Sequence, residues 1–387
     1  MAAGAIIRDA LLLLALAPLA YYLSAILAAL RFYRSSPSGR SFSAPVSVLK
    51  PIRGLDREAY ENYASFCRQE YPEFEILFCV TDDSEPAIPV IERIIRDFPQ
   101  RCIRLLVGSE PLGVSDKVNK MCRMVREARY EVLLVSDSDV RVDPGFLRKV
   151  VAPLANQQVG GVTCLYKGLT DGSLASQIEA LGNSADFAPG VLVAWLLGGL
   201  DFMLGAVMVT TKKRLAEMGG FETLVNHLSD DYELGNRIVE NSYRVELSRC
   251  PVSVVYPRQS LSDAFRHQLR WNLTIRCSRP GGHLGLLFTQ GLPWALLAAA
   301  IAPNKTTAAA YLAGYVILRI AMAWLVGVFG MHDRLVRRRM WMLPLRDVFA
   351  FAVWVLSFFP QRIYWRGQEF YIRDKRLVPA PSRHSWP

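Results

Sequence analysis

Hydrophobic positions fall into three regimes along the chain. Residues 10–30 form an uncharged apolar run about as long as a bilayer crossing, preceded by Arg8 and Asp9 and followed by Arg31, Arg34 and Arg40. This predicts an N-terminal membrane anchor, since a cleaved signal peptide has a shorter apolar core and a small-residue cleavage site. The basic flank predicts a cytosolic location for the residues after the anchor. From Ala44 onward short apolar stretches alternate with amphipathic ones, the pattern of βαβ units. Strands are predicted at residues 46–49, 74–80, 103–107, 132–135 and 159–165, and helices at 57–68, 86–97 and 116–127. Near the end, residues 284–302 and 306–329 read as a membrane hairpin joined through Pro303, Asn304 and Lys305. The run 348–359 is shorter than a span unless Arg346 and Asp347 are included, which predicts an interfacial or re-entrant segment.

Between these regimes, residues 191–200 and 202–209 are apolar and separated by Asp201. A crossing there would put all downstream acids on the far side of the membrane from Asp137 and Asp139. The expectation is instead a partly buried floor facing lipid. No internal repeat or low-complexity linker is present.

Polar groups collect where the predicted strands end. Residues 132–140, VLLVSDSDV, place Asp137 and Asp139 at the carboxyl end of a buried strand, where open α/β sheets bind ligands. Both carboxylates could share a divalent ion with a diphosphate, although acidic pairs after strands also form turns and caps. The first strand is followed by Lys50, Pro51, Ile52, Arg53 and Gly54, and the second by Thr81, Asp82, Asp83 and Ser84. Three such ends at one sheet edge suggest a nucleotide site, with a turn-forming role for Asp82 and Asp83 as the alternative. Further on, Ser229, Asp230 and Asp231 open a helical pattern. Ser229 can cap it and Asp230 can favour its positive end, which leaves Asp231 without an evident structural need. Residues 263–276 read as an amphipathic helix carrying His267, Gln268, Arg270 and Trp271, whose cations could also meet lipid headgroups.

Composition narrows the partners. The chain has 387 residues, 51% hydrophobic and 21% charged, with Lys plus Arg at 45 against Asp plus Glu at 35. Much of the basic excess flanks apolar segments, including Arg334, Arg337, Arg338, Arg339, Arg362 and Arg366, which favours membrane apposition over nucleic-acid binding. Seven cysteines without a CxxC pair argue against zinc and fit free thiols in a reducing compartment.

The order Asp82 with Asp83, Asp137 with Asp139, Asp231, then Arg270 with Trp271 resembles the inverting GT-A glycosyltransferases of the large family containing cellulose synthase. More closely, the chain resembles the ceramide glucosyltransferase family, glycosyltransferase family 21, and its bacterial relatives that glycosylate hopanoid lipids. LKPIRGLD at 49–56, FEILFCV at 74–80, SDSDVRVDPGFL at 136–147 and DDYELGNRI at 230–238 carry the likeness, which runs from the first anchor to the basic tail. One departure is His267, flanked by Arg266 and Gln268, where the family has Gln or Arg three places before Arg270.

The resemblance implies an α/β fold of GT-A type: a Rossmann-like, mostly parallel sheet in the cytosol with one N-terminal and two to three C-terminal membrane helices. The corresponding domains are an anchor at 1–40, a catalytic domain at 41–280 and membrane segments with a basic tail at 281–387. It also implies a UDP-sugar donor, a membrane lipid acceptor and a bacterial cytoplasmic membrane as the site of action. Asp82, with Asp83 beside it, would read the uracil or ribose, and Asp137 the nucleotide. Asp139 would hold Mg²⁺ or Mn²⁺, and Arg270 and Trp271 the pyrophosphate, with Lys50 and a shifted Gln268 as further donor contacts. Asp231 would be the base that activates the acceptor hydroxyl. A processive polysaccharide synthase shares these motifs but needs more spans. A UDP-sugar-binding pseudoenzyme would not require all three acidic sites, and a transporter would not require the α/β segment.

Overall fold

The computed structural model describes residues 2–35, 42–359, 362–365, 368–373 and 376–379. Arg40 and Arg366 of the expected basic flanks lie outside the described residues. Two compact units interleave along the chain: Ser36–Leu169, Gly198–Pro257 and Gln361–Pro387 form one, and Met1–Ser35, Thr170–Leu197 and Arg258–Pro360 the other.

The first unit is built on eight strands: β1 (Val46–Pro51), β2 (Phe74–Val80), β3 (Cys102–Val107), β4 (Val132–Ser136), β5 (Val140–Arg141), β6 (Val159–Leu169), β7 (Val207–Thr211) and β8 (Arg244–Val255). Their order is β3-β2-β1-β4-β7-β6-β8-β5. The first four are parallel neighbours, and β7 runs antiparallel to β4. Every residue of β1, β2 and β4 is buried, as continuous apolar runs covered on both faces require. The polar exceptions pair internally. Ser47 Oγ donates to Glu75 Oε1 at 2.7 Å, and the Arg129 backbone N–H and Arg104 Nη2 donate to the same carboxylate at 2.6 and 3.1 Å. The helix Asp116–Glu127 has the predicted bounds and begins at Ser115, whose hydroxyl accepts from the Val118 N–H. The helices Ala59–Cys67 and Ile88–Asp97 also lie where the pattern placed them. Near the end of the chain β9 (Arg362–Trp365), β10 (Gln368–Arg373) and β11 (Arg376–Pro379) form a small antiparallel sheet.

The apolar stretch 202–209 is not a surface facing lipid. Its second half enters β7, which is hydrogen-bonded between β4 and β6, so its hydrophobicity serves sheet burial. The stretch 191–200 largely belongs to a helix that runs through Leu174–Gly198 and is long and apolar enough to cross a membrane. A single complete crossing by this helix is nevertheless incompatible with the sheet. β6 precedes it and β7 comes after it, and the two pair directly through Val162 with Val209 and Thr163 with Met208.

In the second unit, the helices Ala2–Leu14 and Ala17–Arg34 together make one apolar element, Ala3–Arg34, of span length, and Lys305–Gly330 makes another. The expected span at 284–302 is broken into Pro280–Thr289 and Gly291–Ile301, bent by 55°, so the hairpin has one continuous arm and one bent arm. The last apolar run forms the helix Leu343–Leu356, at 14 residues about 21 Å long and short of a bilayer core. It includes Arg346 and Asp347, both buried. Asp347 accepts from Tyr315 Oη at 2.7 Å and pairs with Arg319 at 2.6 Å, while Asp186 receives both Arg319 and Arg346. Each charge removed from water thus meets an opposite one, the condition for burial among apolar helices.

Candidate active site

The parallel strands bring three polar ends to one sheet edge. β4 ends at Ser136, and the chain turns through Asp137, Ser138 and Asp139 into β5. Lys50, at the end of β1, lies beneath this turn. Its fully buried ammonium donates to the Asp137 carbonyl at 2.8 Å and to Ser136 Oγ at 3.3 Å, and it stands 4.0 Å from the Phe66 ring centre. Burial pushes Lys50 down to about 7, against the pull of Asp139, Asp137 and Asp56. Its place is therefore under the loop, holding it from below.

Asp139 is pushed up to about 7, first by burial and then by the like charges of Asp137 and Asp56. Asp56, from the LKPIRGLD stretch, accepts a hydrogen bond from Ser138 and is also raised by burial, and its Oδ2 is buried without a hydrogen-bond partner. At this turn the carboxylates of Asp56, Asp137 and Asp139 outnumber the neighbouring ammoniums of Lys50 and Lys117, and their hard oxygen donors fit a divalent ion such as Mg²⁺ or Mn²⁺. Among the described residues no group of three or more His, Cys, Asp or Glu forms a metal site. An ion held at this turn would therefore need ligands from outside these side chains.

Asp82 and Asp83 follow β2 after Thr81 at the same edge, both exposed. The turn role is realised for Asp82: its Oδ1 accepts from the Ser84 N–H at 2.9 Å and from the Ser84 hydroxyl, contacts that hold the carboxyl below its usual range.

Asp231 lies at the start of the helix Asp230–Glu240. Ser229 does not cap this helix with its side chain; its hydroxyl donates instead to Asp231 Oδ1 at 2.8 Å, beside the Tyr232 N–H at 2.8 Å. A β-carbon at Gly235 would stand 2.3 Å from the Phe202 backbone, so glycine is what lets this helix close onto residues 202–203. The same connection ties both acidic sites together. The Met203 N–H donates to the Asp231 carbonyl at 3.2 Å, and the Asp137 N–H to the Ala206 carbonyl at 3.3 Å. Burial and then Asp230 raise the Asp231 carboxyl, opposed by Lys117 and Ser229. A carboxylate held above its ordinary range would suit proton abstraction from an alcohol.

Lys117 is not singled out by the motif order. Its ammonium lies 2.8 Å from Asp137 Oδ1 and 3.5 Å from Asp230 Oδ2, so one cation spans the two acidic segments. The available sequence signal is weak: a lysine in the first turn of a helix opposes the helix dipole.

In the other unit, the helix Leu261–Ser278 carries His267, Gln268, Arg270 and Trp271. Gln268 is buried, with Nε2 donating to Glu179 Oε1 at 3.1 Å and Oε1 accepting from Arg346 Nη2 at 3.3 Å. Both ends of its amide are thus committed inside the unit. His267 pairs with the same Glu179 carboxylate, which also accepts from Gln259, and its ring lies 4.7 Å from that of Trp271. Glu179 is an anchor for this helix that the sequence pattern did not reveal.

The family model of glycosyl transferase family 21 matches residues 10–378. The chain is 30% identical over 207 residues to ceramide glucosyltransferase 1 of Caenorhabditis elegans, covering 53% of this chain and 44% of that one. It is 30% identical over 132 residues to ceramide glucosyltransferase of Gibberella zeae, covering 32% of this chain and 25% of that one. The matched region thus spans less than half the length of these relatives. A mannosyltransferase from Pyrobaculum calidifontis, solved with GDP-Man and Mn²⁺, superposes with a TM-score of 0.51 at 18% identity, covering 90% of this chain and 99% of that one. That likeness concerns the fold, which is of the GT-A type.

Proposed function

The chain belongs to glycosyl transferase family 21, and from that premise we propose that it is an inverting glycosyltransferase. It moves glucose or N-acetylglucosamine from a UDP-sugar to the hydroxyl of a membrane lipid, a ceramide or a hopanoid polyol, and forms a β-glycolipid. The observation that carries the reading is the approach of two acidic segments at one sheet edge, with Asp137 and Asp230 both within reach of the Lys117 ammonium. In this assignment Asp231 takes the acceptor proton from the face opposite the leaving group. Asp137 and Asp82 orient the nucleotide, and Lys50 supports the turn that presents Asp137. Asp139 would hold Mg²⁺ or Mn²⁺, which when bound supplies positive charge to the β-phosphate of the departing UDP. Arg270 and Trp271 keep the pyrophosphate role that the resemblance implies.

The test is incubation of detergent-purified protein with labelled UDP-glucose or UDP-N-acetylglucosamine and a panel of ceramide, hopanoid polyol and diacylglycerol, with products identified by mass spectrometry. A β-linked glycolipid is expected. Soluble polysaccharide, or donor binding with no product from any acceptor, goes against the reading.

The sheet unit is assigned to the cytosolic face of the membrane. Support comes from Arg31 and Arg34 closing the first apolar helix and from the direct pairing of β6 with β7. A cysteine introduced at Glu222 or beside Gly172 is therefore expected to resist an impermeant maleimide in intact cells and to react after lysis. Labelling in intact cells places the sheet on the other side.

A further inference from the structure

Lys117 stands where the two halves of the proposed chemistry meet. Its side chain is 17% exposed, and its two carboxylate partners come from different segments: Asp137 from the turn after β4, Asp230 from the start of the helix Asp230–Glu240. Gly205 forms a floor beside it. A β-carbon there would lie 3.1 Å from Asp231 Oδ2 and 3.7 Å from Lys117 Nζ, so the ammonium and Asp231 border one small space kept open by the absence of a side chain. Burial is the first influence on Asp231, and the groups that face it are Asp230 on its own helix, Lys117 from the helix Asp116–Glu127, the Ser229 hydroxyl and the Tyr232 N–H.

We propose that Lys117 is a positioning residue that straps the donor-side Asp137 to the acceptor-side Asp230 and supplies the positive charge offsetting the paired acids at the start of the Asp231 helix. The inference rests on the reading of Asp231 as the base. Two adjacent buried carboxylates repel, and the second binds its proton more tightly unless a cation intervenes. Lys117 is well suited to that task. Burial alone would favour its neutral form, but Asp137, Asp230 and Asp231 outweigh burial and keep it protonated. The same two ion pairs hold the turn after β4 beside the start of the Asp231 helix, so the offsetting charge stays in place next to Asp231.

A general base works only when ionised, so the rate rises with pH through its titration, and the position of that rise reports the strap. The experiment is the pH profile of kcat for sugar transfer by the full chain and its Lys117→Met, Lys117→Arg and Asp230→Asn variants, each checked for folding by thermal unfolding. Lys117→Met is expected to move the acidic limb upward by about one to three pH units, with activity recovering as the pH rises. Lys117→Arg restores the parental position. Asp230→Asn removes the repelling neighbour and moves the limb downward, and this variant decides the matter if Lys117→Met fails to fold. An even loss at every pH in Lys117→Met, or an unmoved or upward limb in Asp230→Asn, overturns the strap. Parental transfer with unmoved profiles refutes the strap alone, whereas a parent inactive toward every donor and acceptor overturns the glycosyltransferase reading and the strap with it.

Discussion

Asp139→Ala is expected to abolish sugar transfer and to remove the divalent-ion dependence of UDP binding while the protein stays folded. Asp139 sits in a turn where burial and the charges of Asp137 and Asp56 all disfavour its ionised form. A carboxylate kept in such a place without a nearby dedicated cation weakens the fold, so its removal should leave stability unchanged or slightly improved. Lys50 cannot relieve the strain fully, because it is itself desolvated and committed to the Asp137 carbonyl and Ser136. A bound divalent ion would relieve it, and a diphosphate would then complete the coordination shell. The measurement is calorimetric UDP affinity of the folded variant and its parent, with and without Mn²⁺. If the variant gains as much affinity from Mn²⁺ as the parent does, Asp139 belongs to the turn and not to the ion.

How much of this was legible in the chain depended on whether the signal was local. The ends of β1, β2 and β4 could be read because each is an unbroken apolar run followed at once by polar residues, and a buried parallel strand leaves just that pattern. β8 left no such pattern. Its sequence RVELSRCPVSVV mixes exposed, intermediate and buried positions and carries Pro251, so neither strict alternation nor a continuous run marks it. β7 was hidden for the opposite reason, since its apolar residues merged with those of the preceding helix into one stretch of membrane-like composition.

Site residues divide in the same way. Asp137 and Asp139 are announced by the strand before them, and Asp231 by a helix start already supplied with Ser229 and Asp230. Lys117 and Glu179 gain their meaning only from residues distant in sequence: Asp137 and Asp230 for the first, Gln259, His267 and Gln268 for the second. In the sequence each is one polar residue on an ordinary amphipathic or apolar helix. Ser229 shows the converse error. Its position fits a helix cap, but its hydroxyl donates to Asp231 Oδ1, and the Tyr232 N–H that such a cap would accept is already given to the same carboxylate oxygen.

The largest separation of binding from chemistry is expected for Asp231→Asn. The amide keeps the size of the carboxylate, and its oxygen can still accept from the Ser229 hydroxyl and the Tyr232 N–H, the two contacts that Oδ1 makes at 2.8 Å each. The Met203 N–H bond goes to the backbone carbonyl of residue 231 and is unaffected. Stability should therefore change by no more than about 1 kcal/mol, the scale of a helix-terminus interaction, and loss of repulsion from Asp230 acts in the favourable direction. Transfer is another matter, because an amide cannot take a proton from an alcohol. Loss of a positioned general base slows the reaction by roughly a hundredfold to ten-thousandfold, or about 3–5 kcal/mol in the barrier. The variant should bind UDP-sugar and divalent ion like its parent while forming almost no glycolipid. Asp230→Asn should retain appreciable activity, since that residue meets Lys117 and not the acceptor. Steady-state transfer rates set beside UDP affinities for the two variants decide the assignment. Transfer by Asp231→Asn at close to the parental rate would mean that another group activates the acceptor, and that the space above Gly205 is not where the sugar changes hands.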